Sequence, residues 1–133
     1  MKEILTEWRN FLNEQQTPVE IEREDGHVTY RTPDGYITVV ENSPWAGGAH
    51  SIYSFYVDED KRGQGIGKQL VRVVMDAYPG EEISAQVSSL SSLKVFLDLG
   101  FRVPEEPDAS FDRAKELFDQ DYGSLNLRLN DFS

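Results

Sequence analysis

Six short stretches of the chain carry the alternating, β-branched or aromatic residues that are typical of β-strands. They comprise residues 19–23, 27–32, 36–41, 50–57, 82–87 and 122–129. Asp25-Gly26 lies between the first two, and a Pro-Asp-Gly turn at 33–35 lies between the second and the third. Both are tight-turn sequences, so the first three strands are predicted to form an antiparallel meander.

Apolar residues at helical spacing predict four helices. The first covers residues 1–16, where a single stripe contains Ile4, Leu5, Trp8, Phe11 and Leu12. The others lie at 66–77, at 90–99 after a Ser89 N-cap, and at 111–119 after a Ser110 N-cap. This order of elements predicts one domain, 1–133, of the mixed α/β (α+β) class, with a central mixed β-sheet flanked by helices.

Length and composition narrow the class of protein. The 133 residues suit one domain, and 38% hydrophobic residues can build a core that a disordered chain lacks. Because the chain has no cysteine, disulfides, thiolate metal sites and a cysteine nucleophile are excluded. No apolar run reaches the roughly 20 residues that span a bilayer, and the charged N-terminus does not suit a secretory signal. We therefore expect a cytoplasmic protein without a membrane partner.

Acidic residues outnumber basic ones by 24 to 13, which gives a formal net charge of −11. A field of this sign repels the phosphates of nucleic acid, so nucleic acid is not expected as a partner. It favours cationic small molecules or basic protein surfaces, although solubility alone also explains it. Asp58, Glu59 and Asp60 have no histidine or cysteine at ligand spacing, so no metal site is expected.

Glycines concentrate between a predicted strand and a predicted helix, in the stretch VDEDKRGQGIGK at 57–68. It is not a P-loop, since Arg62 stands in place of the first glycine and Gln69 in place of the Ser or Thr. A dinucleotide-binding loop would need a glycine where Lys68 stands. The remaining pattern, Arg62-x-x-Gly65-x-Gly67, offers unpaired amides at a helix N-terminus with little side chain in the way. It predicts a pyrophosphate-binding loop, and a surface loop whose glycines serve only for turning is the alternative.

This stretch is followed by a strand and by a helix that ends in FLDLGF at 96–101. In that order the two motifs resemble the GNAT superfamily of N-acetyltransferases. The resemblance covers about residues 50–102 and implies acetyl-CoA as cosubstrate, in a slot where the parallel strands 50–57 and 82–87 splay apart. It also implies acetyl transfer by direct attack of a primary amine, carried by a small molecule or by a protein lysine or N-terminus. The residues it implies for cofactor binding are Phe55, Val57, Arg62, Gly63, Gln64, Gly65, Ile66, Gly67 and Lys68.

The general acid that is usual in the resembled family has no counterpart at the matching position of this chain. Phe96 stands where the family often places a tyrosine that protonates the leaving thiolate. Three explanations stay open. The enzyme works without that acid, another hydroxyl (Ser91, Ser92 or Tyr122) supplies the proton, or the domain binds acyl-CoA and acetylates nothing.

A base to accept the amine proton is also not evident, because the strand 50–57 contains no carboxylate. Glu41, His50 and Tyr53 are the catalytic candidates, the last as a residue that positions a water. His50 is equally well interpreted as a surface histidine whose ring is hydrogen-bonded and which has no catalytic role.

The alternative to an enzyme is a catalytically silent acyl-CoA-binding or protein-interaction module of phage origin. The leader MKEILTEWRNFLNE is similar to short amphipathic starts of some tailed-phage proteins, where such a segment acts as a packaging tag. A core-facing helix is the other interpretation of the same stripe. The oligomeric state is left open.

Overall fold

The computed structural model describes residues 6–10 and 18–130, and within them it shows a seven-stranded sheet and three α-helices. The strands are β1 (Thr6–Asn10), β2 (Pro18–Glu24), β3 (His27–Thr32), β4 (Gly35–Val40), β5 (His50–Val57), β6 (Ile83–Val87) and β7 (Leu125–Leu129). The helices are α1 (Ile66–Ala77), α2 (Leu90–Asp98) and α3 (Phe111–Gln120). No helix in this part of the chain combines the length and apolarity needed to cross a membrane.

The strands lie side by side in chain order. Every neighbouring pair is antiparallel except β5 and β6, which are parallel and are joined by a crossover that contains α1. The predicted mixed sheet and the meander of β2 to β4 are therefore confirmed. The Ser89 and Ser110 hydroxyls accept hydrogen bonds from the amides of Ser92 and Arg113, so both act as the expected N-caps.

The predicted N-terminal helix is wrong for residues 6–10. These five residues form β1, which pairs antiparallel with β2 and places Trp8 opposite Glu20. The rest of that predicted helix, 1–5 and 11–16, lies outside the described residues. Strand β2, which begins eight residues after β1 ends, supplies the backbone hydrogen-bond partners, and such pairing overrides a short local helical pattern.

One face of the sheet carries the core. Val28, Val39, Ile52, Ala85 and Leu127 form a row with one residue from each strand from β3 to β7, and all five are buried. The buried residues of α1, α2 and α3 belong to the same cluster, so all three helices pack against this face. The alternation along the strands places polar side chains on the other face.

Strand β5 stays paired with β4 to its end but separates from β6 half-way along its length. Its pairing with β4 is shifted, so that Ile52 lies opposite Val39 and Ser54 opposite Thr38, and Tyr53 is an extra, bulged residue. Its pairing with β6 ends at Ile52, although β5 continues to Val57. The two parallel strands therefore diverge from the bulge onward, as the resemblance implied.

Candidate functional site

A cavity of about 830 Å³ opens beside the C-terminal half of β5. Three segments line it, namely the strand from Ile52 to Val57, the loop that leads into α1 with its first turn, and the stretch from Gln86 in β6 through α2 to Asp98. The cavity therefore occupies the gap left where β5 and β6 diverge. Seven of the nine residues predicted to bind the cofactor line this cavity. The other two do not line it, because Gln64 is exposed to solvent and Ile66 packs against the core.

The glycines of the loop have two different structural roles. Gly63 and Gly65 have φ angles of 83° and 81°, in the left-handed region, and no neighbouring heavy atom lies within 4 Å of a Cβ built at either position. They therefore shape the turn and leave open space above it. A Cβ at Gly67 would lie 3.2 Å from the Phe55 ring, so this glycine allows α1 to pack closely on β5.

The first turn of α1 directs backbone amides toward this open space. Gly65 is the N-cap, and its carbonyl accepts the first helical hydrogen bond, from the Gln69 amide at 3.1 Å. The amides before Gln69 therefore have no partner within the helix, and the helix dipole adds positive potential there. The arrangement suits an anionic group with several acceptor oxygens.

Cationic side chains reinforce that potential. Lys61, Arg62, Lys68 and Lys94 line the cavity together with one carboxylate, Asp98, which leaves a local excess of three positive charges on a chain of net charge −11. The loop holds Arg62 in place, because its Nε donates to the carbonyl of Val57 at 3.1 Å. Its guanidinium lies 6.0 Å from the centre of the Tyr56 ring.

Lys68 and Lys94 share one partner. Their Nζ atoms lie 3.1 and 3.7 Å from the same Oδ2 of Asp98, which links α1 to α2 across the cavity. The hydrogen bond from Lys68, followed by the charges of both lysines, holds the pKa of Asp98 below its usual range. Asp98 thus offsets part of the positive charge that the cavity presents.

Hydroxyl groups occupy the α2 side of the cavity. Ser88, Ser89, Ser91 and Ser92 all line it, and the Ser89 Oγ lies 2.7 Å from the Ser92 Oγ. Phe96 also lines it but is only 2% exposed.

The Phe96 ring packs between two others. Its centre lies 5.5 Å from that of Phe55 and 5.0 Å from that of Phe101. Tyr122, a candidate source of the proton in the sequence, is 98% exposed and is not among the lining residues.

The three catalytic candidates are not brought together. Tyr53 lines the cavity and is 67% exposed. Glu41 and His50 lie at the other end of β5, outside the cavity lining. Their assignment as proton acceptors stays a prediction that the geometry does not support.

Glu41 and His50 form hydrogen bonds with other residues, away from the cavity. The His50 Nδ1 accepts from the Asn42 amide at 3.2 Å, so the hydrogen of the neutral ring lies on Nε2, 2.9 Å from the Glu81 carboxylate. The Tyr78 hydroxyl donates to Glu41 at 2.7 Å. Burial, followed by the hydrogen bonds with Tyr30 and Glu41, raises the pKa of Tyr78 above its usual range.

Sequence reasoning missed several lining residues, among them Tyr56, Gln86, Lys94 and Asp98. The i, i+4 spacing of Lys94 and Asp98 on a predicted helix was a signal that both face the same side. Which side that is depends on how α2 packs on the sheet, and the local pattern does not contain this information.

The cavity has the features that the resemblance implied, and comparison with known families agrees. A family model described as the acetyltransferase (GNAT) family matches residues 2–101. The chain belongs to the GNAT acetyltransferase family. Acetyl-CoA is the cosubstrate of this family, and the open, cationic, glycine-lined cavity fits its pyrophosphate.

Two solved structures are similar to this GNAT domain. PH1933 from Pyrococcus horikoshii OT3 shares 18% identity and a TM-score of 0.54, over 82% of this chain and 67% of that one. A histone acetyltransferase HPA2 and related acetyltransferase from Corynebacterium glutamicum shares 14% identity and a TM-score of 0.49, over 84% of this chain and 63% of that one. At such identities the likeness to PH1933 shows the fold alone. Comparison with curated protein sequences finds no match.

Replacing Asp98 with Asn should strengthen acetyl-CoA binding about threefold, because it frees Lys68 and Lys94 and adds one positive charge to the cavity. Titration calorimetry measures the change. Asp76→Asn alters the same net charge at an exposed position of α1 outside the cavity and should leave affinity unchanged. Equal gains in both variants would contradict a local effect.

The same substitution should cost a little stability at neutral pH. The folded-state pKa of Asp98 is lowered, so its stabilising effect is present above the ordinary carboxyl pKa of about 3.9 and is lost as the pH falls through the lowered value. The pair is about a third exposed, so the cost is about 0.5 kcal/mol or less. The difference between the two proteins in the free energy of unfolding, measured with denaturant, should shrink as the pH falls below about 3.9.

Proposed function

We propose that this GNAT domain transfers the acetyl group of acetyl-CoA to a primary amine within one ternary complex, without a covalent enzyme intermediate. The observation that supports this is the cationic, glycine-lined cavity at the gap between β5 and β6. An acidic protein that keeps three excess positive charges in one cavity is suited to a polyanionic ligand. The matching family model supports acetyl transfer as the reaction class.

The cavity offers a separate site for each part of the cosubstrate. The free amides of α1, with Arg62 and Lys61 beside them, would bind the pyrophosphate. Beyond Ile52, β5 has no pairing with β6, so its main chain can form hydrogen bonds with the amide groups of an extended arm. Phe55 and Val57 lie in this stretch. When bound, the cosubstrate supplies the activated acyl carbon.

The transfer itself needs a neutral amine. The amine nitrogen forms a bond to the acyl carbon in place of the C–S bond, whose electrons go to the thiolate, and the amine loses one proton. Tyr53 is the bulged residue at the mouth of the cavity. The Tyr53 hydroxyl can both donate and accept a hydrogen bond, so we assign Tyr53 to positioning a water that takes the proton. Glu41 and His50 are the alternative proton acceptors, and either would need a water chain to reach the cavity from the other end of β5.

The leaving thiolate does not require an acid at position 96. A thiol with a pKa of about 8.5 leaves acceptably near neutrality. The serine hydroxyls at the N-terminus of α2 and the dipole of that helix stabilise negative charge on this side of the cavity. The Ser92 hydroxyl donates to the Ser89 carbonyl, so Ser89 is the hydroxyl that we assign to this role.

The decisive experiment combines binding with turnover. Acetyl-CoA should raise the melting temperature of the protein, since a ligand that binds only the native state stabilises it. Incubation with acetyl-CoA and a panel of primary amines should then release free thiol, which a colorimetric reagent measures. Binding without thiol release would support the silent acyl-CoA-binding module, which the buried Phe96 favours. Absence of both would contradict the proposal.

Replacing Phe96 with Tyr should change kcat by less than about threefold, because protonation of a good leaving group does not limit the rate. Free-thiol release under saturating substrates measures kcat. Phe101→Tyr is the matched control, since it adds the same hydroxyl to the neighbouring buried ring, which does not line the cavity. A rise of tenfold or more in Phe96→Tyr alone would show that the natural chain is limited by the missing acid.

A further inference from the structure

The cations of the cavity belong to two groups that contact different elements. In the loop before α1, Arg62 contacts β5 through the Val57 carbonyl, and Lys61 precedes it in the chain. Lys68 in the first turn of α1 and Lys94 in α2 instead meet at a carboxylate of α2, that of Asp98. The cavity therefore presents positive charge both on its β5 side and on its α2 side.

The group on the α2 side is accessible to a ligand in the cavity. The side chains of Lys94, Lys68 and Asp98 are 65%, 39% and 35% exposed, and all three line the cavity. Among the described residues, only Asp98 forms an ion pair with either lysine, so this group keeps one net positive charge. The Lys94 Nζ also lies 5.7 Å from the centre of the Phe111 ring, which helps to hold the ammonium beside the carboxylate.

The cosubstrate of the family carries two different anionic groups. The pyrophosphate of acetyl-CoA is attached to the 5′ carbon of the ribose, and a phosphate monoester is attached to the 3′ carbon of the same ring. The monoester bears about −1.5 to −2 charges at pH 7, because its second pKa is about 6. A ligand whose pyrophosphate lies at the amides of the first turn of α1 therefore carries a second phosphate one sugar ring away, and that same turn contains Lys68.

We propose that Lys94, together with Lys68, binds the 3′-phosphate of acetyl-CoA and makes the cavity selective for the 3′-phosphorylated cofactor, an inference that rests on the pyrophosphate site of the proposed function. Two ammonium groups that flank one carboxylate oxygen can donate to a second anion from both helices. Asp98 holds them in position and competes with the ligand for them, so that an anion of low charge gains little here. Lys94 is thus a specificity residue on α2, outside the glycine-rich loop.

The test compares acetyl-CoA with acetyl-3′-dephospho-CoA, which lacks only the monoester. Calorimetric titration should show that the unmodified protein binds acetyl-CoA at least tenfold more tightly. In Lys94→Gln the affinity for acetyl-CoA should fall at least fivefold, whereas the affinity for the dephospho compound should stay within twofold. Lys115→Gln makes the same charge change at an exposed position of α3 outside the cavity, and it should leave both affinities within twofold. Equal losses for the two ligands in Lys94→Gln, or equal affinities in the unmodified protein, would overturn the inference.

Two more variants distinguish recognition of the 3′-phosphate from a general or structural effect. Lys61→Gln removes a cation of the loop group, so it should weaken the binding of both ligands by the same factor. Lys94→Arg keeps a positive charge that suits a phosphate, and it should retain a preference of at least fivefold for acetyl-CoA. Melting temperatures verify that the variants are folded. A Lys94 that only supports α2 would change the melting temperature without changing the preference, which would overturn the inference.

The outcome for this inference is separable from that for the proposed function, because the titrations need no amine and no turnover. Selective binding of acetyl-CoA without thiol release would support the inference and contradict the proposed function alone. Thiol release with equal affinities for the two ligands would overturn the inference alone. Binding of neither ligand would overturn both.

Discussion

Replacing Arg62 with Glu should weaken acetyl-CoA binding about 100-fold. The Arg62 guanidinium stands at the turn between Val57 and Gly63, fixed by its Nε bond to the Val57 carbonyl. In the proposed complex, this substitution removes a charge-assisted hydrogen bond to the phosphates and adds a repulsion between the new carboxylate and the phosphates. A 100-fold loss corresponds to about 2.7 kcal/mol, which one charge-assisted contact and one new repulsion account for. Calorimetric titration with acetyl-CoA measures it.

Two further variants distinguish a contact made by Arg62 itself from the effect of a change in the net charge of the protein. Arg72→Glu makes the same charge change at an exposed position of α1 outside the cavity, and it should reduce affinity less than threefold. Arg62→Lys keeps the charge but not the planar donor that contacts the Val57 carbonyl, so an intermediate loss is expected. If Arg62→Glu and Arg72→Glu lost affinity equally, the loop would not be the phosphate site.

Replacing Gly35 with Ala should lower the free energy of unfolding by about 3 kcal/mol. Gly35 pairs with Val57 at the end of β5, and a Cβ at this position would lie 2.4 Å from the carbonyl oxygen of Tyr56 and 3.1 Å from the Val57 Cα. Both are backbone atoms, so the methyl group fits only if β4 and β5 separate at the edge of the cavity. Overpacking of this kind typically costs 1–3 kcal/mol, and the rigid neighbours place this site at the upper end.

Gly26→Ala is the matched control for this loss. Gly26 has a φ of +80°, which strains an alanine, but no neighbouring heavy atom lies within 4 Å of a built Cβ. It should cost only about 1 kcal/mol. Denaturant unfolding with a common m-value compares the two variants. A smaller loss at Gly35 than at Gly26 would show that the strands accommodate the methyl group and that the contact does not constrain this end of β5.

The geometry of the loop at 62–68 was predictable because it is local. Two glycines with positive φ angles, a cation and a helix start all lie within seven residues, and no distant contact is needed to bring them together. The structural reason for a glycine at position 67 was not predictable from the sequence. Its closest neighbour, the ring of Phe55, is twelve residues away in the chain, and only the packing of α1 on β5 brings the two together.

The catalytic candidates show the opposite case. His50 and Tyr53 are three residues apart on one strand, yet His50 lies in the network of Glu81 and Tyr78 whereas Tyr53 faces the cavity. The bulge in β5 and the end of its pairing with β6 separate the two environments. Both features depend on register with neighbouring strands, which the residues of β5 do not encode by themselves.

Local sequence was enough to predict the strands of the meander, the three helices, two of them with serine caps, and the glycine-rich loop before α1, because each depends on residues that are neighbours in the chain. Only the folded arrangement established that residues 6–10 form a strand and that Lys68 of α1 reaches Asp98 and Lys94 of α2. In each of these, the interacting groups are brought together by strand pairing or helix packing between distant segments. Their positions are therefore set by the global minimum of free energy rather than by local preference.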